Sequence, residues 1–279
     1  MSTPFTKVEG LGNDFVLIDA RVQPLVLRPE QAVALCDRHR GVGADGVLVL
    51  SPSARALAQL AIWNADGSQA EMCGNGLRCA ATLLLGETQR DEILIETCAG
   101  VHRCRREGSP ESGSVWVELV GLSVGPPETI EVRTAEARED AMPLSLSGRR
   151  VSLGNPHFVV FGGADATRAA QLGPAVERHR AFAPDRINVE FCELKSGAPP
   201  KLPFGLKVRV WERGVGLTLA CGTGAAAAAA AAWVDGHVPR GPTTVDLPGG
   251  SVRIDPVNDQ ALGLCGVAHR VFAGQVDLG

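Results

Sequence analysis

The 279-residue sequence contains no tyrosine and few lysines. None of the lysines (Lys7, Lys195, Lys201 and Lys207) lies in a pattern typical of a Schiff base, which disfavours a pyridoxal phosphate enzyme. Residues 1–14 lack the apolar segment of a secretory signal, so the eight cysteines indicate a reduced, cytoplasmic protein and not a disulfide framework. No cysteine pair has the C-x2-C spacing of structural zinc sites, and we expect neither a metal nor an organic cofactor.

The charge balance excludes further classes of partner. A formal net charge of −4 and a sequence pI of about 5.9 disfavour nucleic-acid binding. Residues 214–234 carry no charge and are long enough to cross a membrane, but their Gly, Ala and Thr content indicates a closely packed, buried helix. We therefore expect no nucleic-acid partner and no membrane partner. A small-molecule substrate and a possible homodimer are separate predictions.

An internal duplication organises the chain. Cys73 and Cys221 each follow a tryptophan by ten residues, and each precedes a Gly-x-Gly turn and an apolar segment. Two weaker markers recur in the same order: Leu11–Val16 resembles Leu153–Val159, and Arg38-His39-Arg40 resembles Arg178-His179-Arg180. Three markers in one order indicate a repeat, and its extra loop is predicted within residues 195–203.

Matching elements are predicted in the two halves from hydrophobic runs and helix signals. Strands are predicted at Phe15–Asp19, Val47–Leu50, Leu57–Trp63, Ile93–Thr97 and Val115–Leu119, and at Phe158–Phe161, Val189–Cys192, Leu206–Trp211, Val245–Leu247 and Val252–Ile254. Helices are predicted at Pro29–Asp37, Leu77–Leu85, Ala166–His179 and Ala225–Val234, with Gly86 and Gly236 as C-caps and Gly121–Pro127 as a linker.

The predicted fold class is α+β, with two pseudo-symmetric domains. Each domain is expected to be a mostly antiparallel sheet or barrel wrapped around a central helix, with the active site in the interdomain cleft. The first domain is predicted to span residues 1–121, completed by a C-terminal strand at 266–279, and to carry Cys73. The second is predicted to span residues 122–265 and to carry Cys221.

The two matched cysteines suit proton transfer. A thiol at a helix N-terminus has its pKa lowered from about 8.5 to roughly 3.5–7.5, and the same backbone N–H groups bind a carboxylate. Two thiols on opposite faces of one carbon fit acid–base exchange better than a nucleophile with a single partner base. The other six cysteines, which are Cys36, Cys79, Cys98, Cys104, Cys192 and Cys265, are expected to be buried and structural.

At this point the chain resembles a known family, the diaminopimelate epimerases, which are two-cysteine amino-acid epimerases that use no pyridoxal cofactor. The resemblance covers essentially the whole length. It is carried, in order, by Gly10-Leu11-Gly12-Asn13-Asp14-Phe15, Asn64-Ala65-Asp66-Gly67-Ser68, Cys73-Gly74-Asn75-Gly76, Gly154-Asn155-Pro156-His157, Ile187-Asn188-Val189, Glu212-Arg213-Gly214 and Ala220-Cys221-Gly222-Thr223-Gly224. It implies an isomerase that interconverts LL- and meso-diaminopimelate in lysine and peptidoglycan precursor biosynthesis.

The resemblance also implies roles for individual residues. Cys73 and Cys221 would be the acid–base pair, with His157 and Glu212 as the polar residues that tune them. The implied substrate-binding set is Asn13, Asn64, Gly74, Asn75, Asn155, Asn188, Glu212, Arg213, Gly222 and Thr223. Simpler interpretations stay open: the asparagines are also typical of turns, His157 of a satisfied core histidine, and Glu212 with Arg213 of a surface pair.

Other classes remain as alternatives. A proline racemase on the same scaffold is the nearest rival, the phenazine-biosynthesis isomerases lack the cysteine pair, and a non-enzymatic binding protein would need no paired thiols. The chain departs from some family members at Gly46, where they carry Gln, and at Leu217, where they carry Glu. Both departures concern cleft polarity and not the two cysteines.

Overall fold

The structure is a computed structural model that describes residues 2–108, 113–134, 142–195 and 204–279. The loop predicted within residues 195–203 lies outside this range except for Lys195. The chain divides into two compact units. Unit 1 comprises Met1–Val120 and Gly263–Gly279, and unit 2 comprises Gly121–Leu262.

The described part of the chain forms seventeen β-strands and four α-helices. The strands are β1 Ser2–Gly10, β2 Asn13–Asp19, β3 Gly46–Ser51, β4 Ala58–Asn64, β5 Glu92–Thr97, β6 Gly100–Arg106, β7 Ser114–Val120, β8 Leu122–Val132, β9 Leu144–Leu153, β10 Pro156–Phe161, β11 Asn188–Leu194, β12 Phe204–Glu212, β13 Gly216–Leu217, β14 Thr243–Leu247, β15 Gly250–Pro256, β16 Ala261–Val267 and β17 His269–Asp277. The helices are α1 Pro29–Cys36, α2 Gly74–Thr88, α3 Ala166–Glu177 and α4 Gly222–Val234.

The strands of unit 1 pair in the order β17, β1, β2, β3, β4, β5, β6, β7. The β2–β3 and β4–β5 pairs are parallel, and the others in this series are antiparallel. Each parallel pair is joined by a crossover that contains a helix, α1 for the first and α2 for the second, as parallel neighbours require.

Unit 2 repeats this pairing pattern with its own strands. Its order is β8, β9, β10, β11, β12, β14, β15, with parallel pairs at β10–β11 and β12–β14. Those two crossovers contain α3 and α4. The predicted α+β fold class, with two pseudo-symmetric and mostly antiparallel halves, is confirmed.

Each half is built around one buried helix. Helix α2 packs against β1 to β7 and β17, and α4 packs against β9 to β12, β14 and β15. The eight alanines from Ala225 to Ala232 are all buried, because a helix without large side chains can be enclosed on every side by strands. The predicted central helices are therefore present, although both begin three residues earlier than the apolar runs indicated.

Two local predictions were wrong. Gly86 lies inside α2, which continues to Thr88 and is capped by Gln89 in the left-handed conformation at φ 55°. Residues 121–127 are no linker, because β8 begins at Leu122 and pairs with β9. The pairing shifts register between Val124 and Pro127, which accommodates prolines that lack an N–H for the ladder. No helix among the described residues is long and apolar enough to cross a membrane.

Candidate functional site

Both candidate cysteines occupy the N-cap of the central helix of their unit. Cys73 precedes α2, and its Sγ accepts a hydrogen bond from the backbone N–H of Gly76 at 3.3 Å. Cys221 precedes α4, and its Sγ accepts the equivalent bond from Gly224 at 3.3 Å. A sulfur in the place of the usual capping oxygen thus receives one of the helix donors that have no intrahelical partner. The duplicated sequence signature has produced duplicated local geometry.

In unit 1, four polar side chains form a hydrogen-bonded cluster at the start of α2. The Nδ2 of Asn75 donates to the Oδ1 of Asn13 at 3.2 Å, and that oxygen lies 4.0 Å from the Cys73 sulfur. Asn13 also donates through Nδ2 to Asp45 at 2.8 Å. The fully buried Arg78 donates through Nη2 to the Oδ1 of Asn75 at 2.9 Å, which fixes the orientation of that amide. The structure thus brings Asn13 and Asn75 together beside Cys73.

The remaining candidates of unit 1 lie at the end of β4 and at the first residue of α2. Asn64 ends β4 and donates through Nδ2 to the Oγ of Ser68 at 2.9 Å, a bond within the turn. Gly74 is the first residue of α2 and is buried. At Gly46, a Cβ would stand 2.5 Å from the carbonyl oxygen of Trp63, so close strand packing accounts for glycine at this departure from some family members.

In unit 2, a chain of hydrogen bonds runs inward from the Cys221 sulfur. The Thr223 Oγ1 lies 3.6 Å from Sγ and accepts from the Nδ2 of Asn155 at 3.2 Å. The Oδ1 of Asn155 lies 3.0 Å from the Nε2 of His157. The Nδ1 of His157 lies 2.7 Å from the Oε1 of Glu190. His157 therefore reaches Cys221 through two intervening side chains and does not touch it.

Burial dominates the ionisation of Cys221. Desolvation raises the pKa of this thiol well above its usual value, and the nearby carboxylates of Glu212 and Glu190 raise it further. The hydrogen bonds from Thr223 and Gly224 oppose this shift in the Cys221 pKa but do not cancel it. The lowered thiol pKa predicted from the helix N-terminus was therefore wrong for Cys221, because removal from water outweighs the helix dipole.

Three candidates of unit 2 lie at the ends of neighbouring strands. Asn188 begins β11, Glu212 ends β12, and Arg213 follows Glu212 directly. The Oε1 of Glu212 accepts from the hydroxyl of Thr218 at 2.6 Å. The side chain of Asn188 donates to the carbonyl of Pro156 and accepts from the backbone N–H of Arg213, both at 2.9 Å. Arg213 donates through Nη1 to the carbonyl of Asp185 at 2.9 Å. Asn188 is the first residue of β11, and its side chain joins that strand to the backbone of Pro156 and Arg213. The binding roles of all three residues stay predictions.

Glu190 was not among the residues predicted from the sequence, and it is fully buried in β11 beside His157. A carboxylate inside the apolar run Val189–Cys192 was the available signal, since buried charges need a specific partner.

The other six cysteines are free, and five of them are buried. Cys98 is exposed, so its predicted burial was wrong. Its thiol donates to the carbonyl of Glu71 at 2.9 Å. Among the described residues, no group of three or more His, Cys, Asp or Glu side chains is placed to hold a metal ion.

Known structures share this fold. A hydroxyproline epimerase from Agrobacterium vitis matches with a TM-score of 0.71 at 17% identity, covering 99% of this chain and 92% of that chain. A phenazine biosynthesis protein from Bacillus anthracis matches with a TM-score of 0.67 at 14% identity, covering 99% of both chains. At such low identity these likenesses establish the fold alone.

Proteins related by sequence share a much higher fraction of identical residues with this chain than those structures do. The family model for diaminopimelate epimerase matches residues 5–116 and 149–271. A diaminopimelate epimerase from Sphingopyxis alaskensis is 43% identical over an alignment of 282 residues that covers 99% of this chain and 98% of the relative. One from Microcystis aeruginosa is 41% identical over 297 residues, covering 98% of this chain and 99% of the relative. The chain belongs to the diaminopimelate epimerase family.

Proposed function

We propose that this protein interconverts LL-2,6-diaminopimelate and meso-diaminopimelate without a cofactor, by moving the α-proton between the thiols of Cys73 and Cys221. The observation that carries the proposal is the duplicated N-cap. Each of two family-matched halves places a cysteine sulfur within 3.3 Å of a backbone N–H at the start of its central helix. The free backbone N–H groups of such a helix start can bind a substrate carboxylate and can donate to a thiolate that forms beside it.

The proposed reaction is one proton removal and one proton return. The thiolate of one cysteine takes the α-hydrogen as a proton, and the electrons of the broken C–H bond remain on the substrate as a carbanion stabilised by its carboxylate. The thiol of the other cysteine then protonates the opposite face and becomes the thiolate. Reversal of the reaction exchanges the two roles, so one acid and one base serve both directions.

Backbone donors at the two helix starts stabilise the charge that develops on the substrate α-carboxylate. In the proposed complex these donors belong to Gly74, Asn75, Gly222 and Thr223. An excluded-water environment strengthens such donors, which suits the buried surroundings of Cys221. The high pKa that burial gives Cys221 makes its thiolate a strong base once it forms.

The distal amino-acid group of the substrate is the proposed specificity element. Side-chain amides offer both donors and acceptors to an ammonium–carboxylate pair, and a guanidinium grips a carboxylate with two bonds. The residues proposed for this end are Asn13, Asn64, Asn155, Asn188 and Arg213. Simple amino acids would leave these groups without partners, which costs binding energy and gives discrimination.

The proposed place of action is the cytoplasm, in the formation of lysine and peptidoglycan precursors. A reducing compartment keeps both thiols available, since oxidation of either removes the acid or the base. A homodimer stays a prediction from the sequence.

Two measurements test the proposal. In heavy water without added cofactor, either stereoisomer should become labelled at the α-carbon as the other forms. The variants Cys73→Ala and Cys221→Ala should each lower kcat by about 10³-fold or more, because each removes one proton-transfer group. Cys98→Ala is the matched control, since this exposed thiol caps no helix, and it should retain wild-type turnover. Full activity in either test variant would refute the two-thiol mechanism.

The alternative activity is that of the hydroxyproline epimerase with the same fold. A substrate panel separates the two: labelling of proline or hydroxyproline in preference to diaminopimelate would replace the proposed substrate while leaving two-thiol chemistry in place.

A further inference from the structure

An arginine is enclosed completely within unit 1. Arg78 lies in the second turn of α2, and none of its surface is exposed to solvent. Its Nη2 donates to the Oδ1 of Asn75 at 2.9 Å, whereas its Nε and Nη1 are buried without a hydrogen-bond partner among the described residues. A guanidinium stays protonated, so the unit holds a positive charge with unmet donors. Such burial costs stability, and core packing does not account for it.

The ionisable groups around this guanidinium are thiols and one carboxyl group. Burial lowers the pKa of Arg78, and the groups that act in the opposite direction are Cys79, Cys73, Cys265 and Glu9. Cys79 and Cys265 are buried, whereas Cys73 is partly exposed at the helix start. Among the three thiols, Cys73 is therefore the one that loses least hydration when it ionises.

The Arg78 side chain points toward the start of α2, where Cys73 lies. Helical side chains lean toward the N-terminus, and Arg78 reaches back to Asn75, three residues earlier. Gly10 at the end of β1 leaves room for it, since a Cβ there would stand 3.3 Å from the Arg78 Nη2. The guanidinium and the Cys73 sulfur thus belong to the same end of the helix.

The polarity of the cluster between them is fixed at both ends. A guanidinium only donates and an ionised carboxylate only accepts, so Asn75 turns its Oδ1 to Arg78 and Asn13 turns its Nδ2 to Asp45. Asn13 consequently presents its Oδ1 to the Cys73 sulfur, at 4.0 Å, and this oxygen by itself favours the protonated thiol. A full positive charge in a buried setting outweighs one amide dipole at that distance.

Resting on the function proposed above, we propose that the buried charge of Arg78 stabilises the thiolate of Cys73, so that Cys73 is the base that the substrate-free enzyme presents. Arg78 acts on the reaction through Cys73 and is therefore a positioning residue. Its charge adds to the backbone N–H of Gly76, which donates to the same sulfur at 3.3 Å.

Unit 2 carries charge of the opposite sign at its helix start. The position of the repeat that matches Arg78 is Ala226, and the sequence of α4 contains no charged residue. Burial raises the pKa of Cys221, and the carboxylates of Glu212 and Glu190 raise it further. The two thiols are duplicated in backbone geometry but differ in their electrostatic surroundings, which suits a base in one unit and an acid in the other.

A purely structural role for Arg78 predicts a different outcome. If the side chain only filled the core of unit 1, an uncharged replacement would lower stability and leave the ionisation of Cys73 unchanged. If its charge serves Cys73, Arg78→Met removes an unmet buried cation, and the urea midpoint should stay the same or rise. The Cys73 thiolate should then form at higher pH.

Several elements of unit 1 place charged or titratable groups near Cys73. They are Arg78 and Cys79 on α2, Glu9 on β1, Cys265 on β16, Asp45 before β3, and Asp14 on β2 with its partners Lys7 and Arg38. Thiols are the side chains of this set with a reference pKa near pH 8.5, and burial raises the pKa of Cys79. A readout specific to Cys73 is therefore needed.

The experiment follows the rate at which iodoacetamide alkylates Cys73 in substrate-free protein between about pH 6 and 10. Mass spectrometry locates the modified residue, and the exposed Cys98 is the internal reference. The thiolate is the reacting form, so the midpoint of rate against pH reports its formation. In Arg78→Met and in Arg78→Gln this midpoint should rise by about half a pH unit or more.

The two replacements separate the charge from the hydrogen bond. Gln is neutral but keeps a donor for Asn75, so a shift in Arg78→Met alone would assign the effect to the bond and overturn the proposal. No shift, or a downward shift, in either folded variant would also overturn it. Failure of both variants to fold would count against the proposal, because it would show that the core of unit 1 needs the cation.

Arg106→Met is the matched control. Arg106 is a cation at the other end of α2, where it donates to the carbonyl of Leu85 at 3.0 Å. Its replacement should leave the Cys73 midpoint unmoved, and a shift equal to that of Arg78→Gln would show a general effect of lost positive charge and overturn the proposal.

Turnover gives a second readout. Below the Cys73 midpoint, Arg78→Gln should lower kcat/KM about threefold or more, and the deficit should narrow as the pH rises and the thiolate is recovered. A deficit independent of pH would contradict the role of the charge. Alkylation needs no substrate, so it decides the role of Arg78 independently. A shifted alkylation profile in a protein that does not epimerise diaminopimelate would refute the proposed function and not the effect of Arg78 on Cys73.

Discussion

Gly224→Ala tests whether the crowded start of α4 is part of the chemistry. The new Cβ would lie 2.7 Å from the Glu190 carboxylate and 3.2 Å from the Cys221 sulfur, whereas ordinary contact begins at 3.4 Å. The carboxylate or the helix start must therefore move by about 0.7 Å. Overpacking of this kind costs about 1–3 kcal/mol, and the better helix propensity of alanine returns up to about 1 kcal/mol. We expect a folded variant that is destabilised by about 0–3 kcal/mol.

The effect on turnover should be much larger than the effect on stability. Misplacement of reacting groups by about 1 Å can lower a rate by about 10²-fold, so we expect kcat for diaminopimelate epimerisation to fall at least about tenfold. The assay is kcat beside the urea midpoint for the same preparation. Gly76→Ala is the matched control from unit 1, where the new Cβ meets a flexible Leu48 methyl at 2.9 Å and the Cys73 sulfur only at 3.6 Å. Unchanged kcat in Gly224→Ala, or an equal loss in both variants, would refute the reasoning.

Two stability predictions follow from features away from the thiols. Gly86 lies inside α2 with no heavy atom within 4 Å of a new Cβ, so Gly86→Ala should stabilise the protein by about 0.5–1 kcal/mol. Gly236 has a φ of 72°, so Gly236→Ala should destabilise the protein by about 1 kcal/mol. Urea midpoints of the two variants measure both effects, and equal shifts would contradict the assignment of Gly86 to the helix. Burial raises the pKa of Cys36 to about 11 and also raises the pKa of Cys104, so the native state keeps protons that the unfolded state loses above about pH 8.5. The stability that each protonated thiol contributes should be fully present below that pH and should fall by about 1.4 kcal/mol per pH unit as the pH rises above it. Cys104→Val should therefore make the free energy of unfolding fall less steeply between about pH 8.5 and 10.

The repeat made the fold predictable from the sequence, because weak signals in one half gained support from the other. The strands that deliver the two cysteines were predicted to within a few residues of β4 and β12. The segment Gly121–Pro127 has the glycine and proline content that is typical of a loop. A register shift in the β8–β9 pair makes room for those prolines inside a strand, and only tertiary pairing reveals that.

The candidate site was predictable in its residue types but not in its electrostatics. A helix start predicts a lowered thiol pKa, and nothing in the local sequence shows that Cys221 is almost wholly removed from water. The depth of burial comes from strands far away along the chain. The position of Glu190 beside the site was not predicted for a related reason. Its partner His157 is 33 residues earlier in the sequence, and the parallel pairing of β10 with β11 brings the two side chains together.

The alanine composition of α4 has a consequence for how Cys221 is held. A cylinder of near-identical methyl groups presents no ridges that would fix its rotation about its own axis, so packing alone defines its angle poorly. The rotational register must then be set at the two ends, by the N-cap bond at Cys221 and by the bond from the Trp233 indole to Thr243 at 2.9 Å. The indole of Trp233, about three turns along α4 from Cys221, thereby becomes a determinant of where the sulfur points.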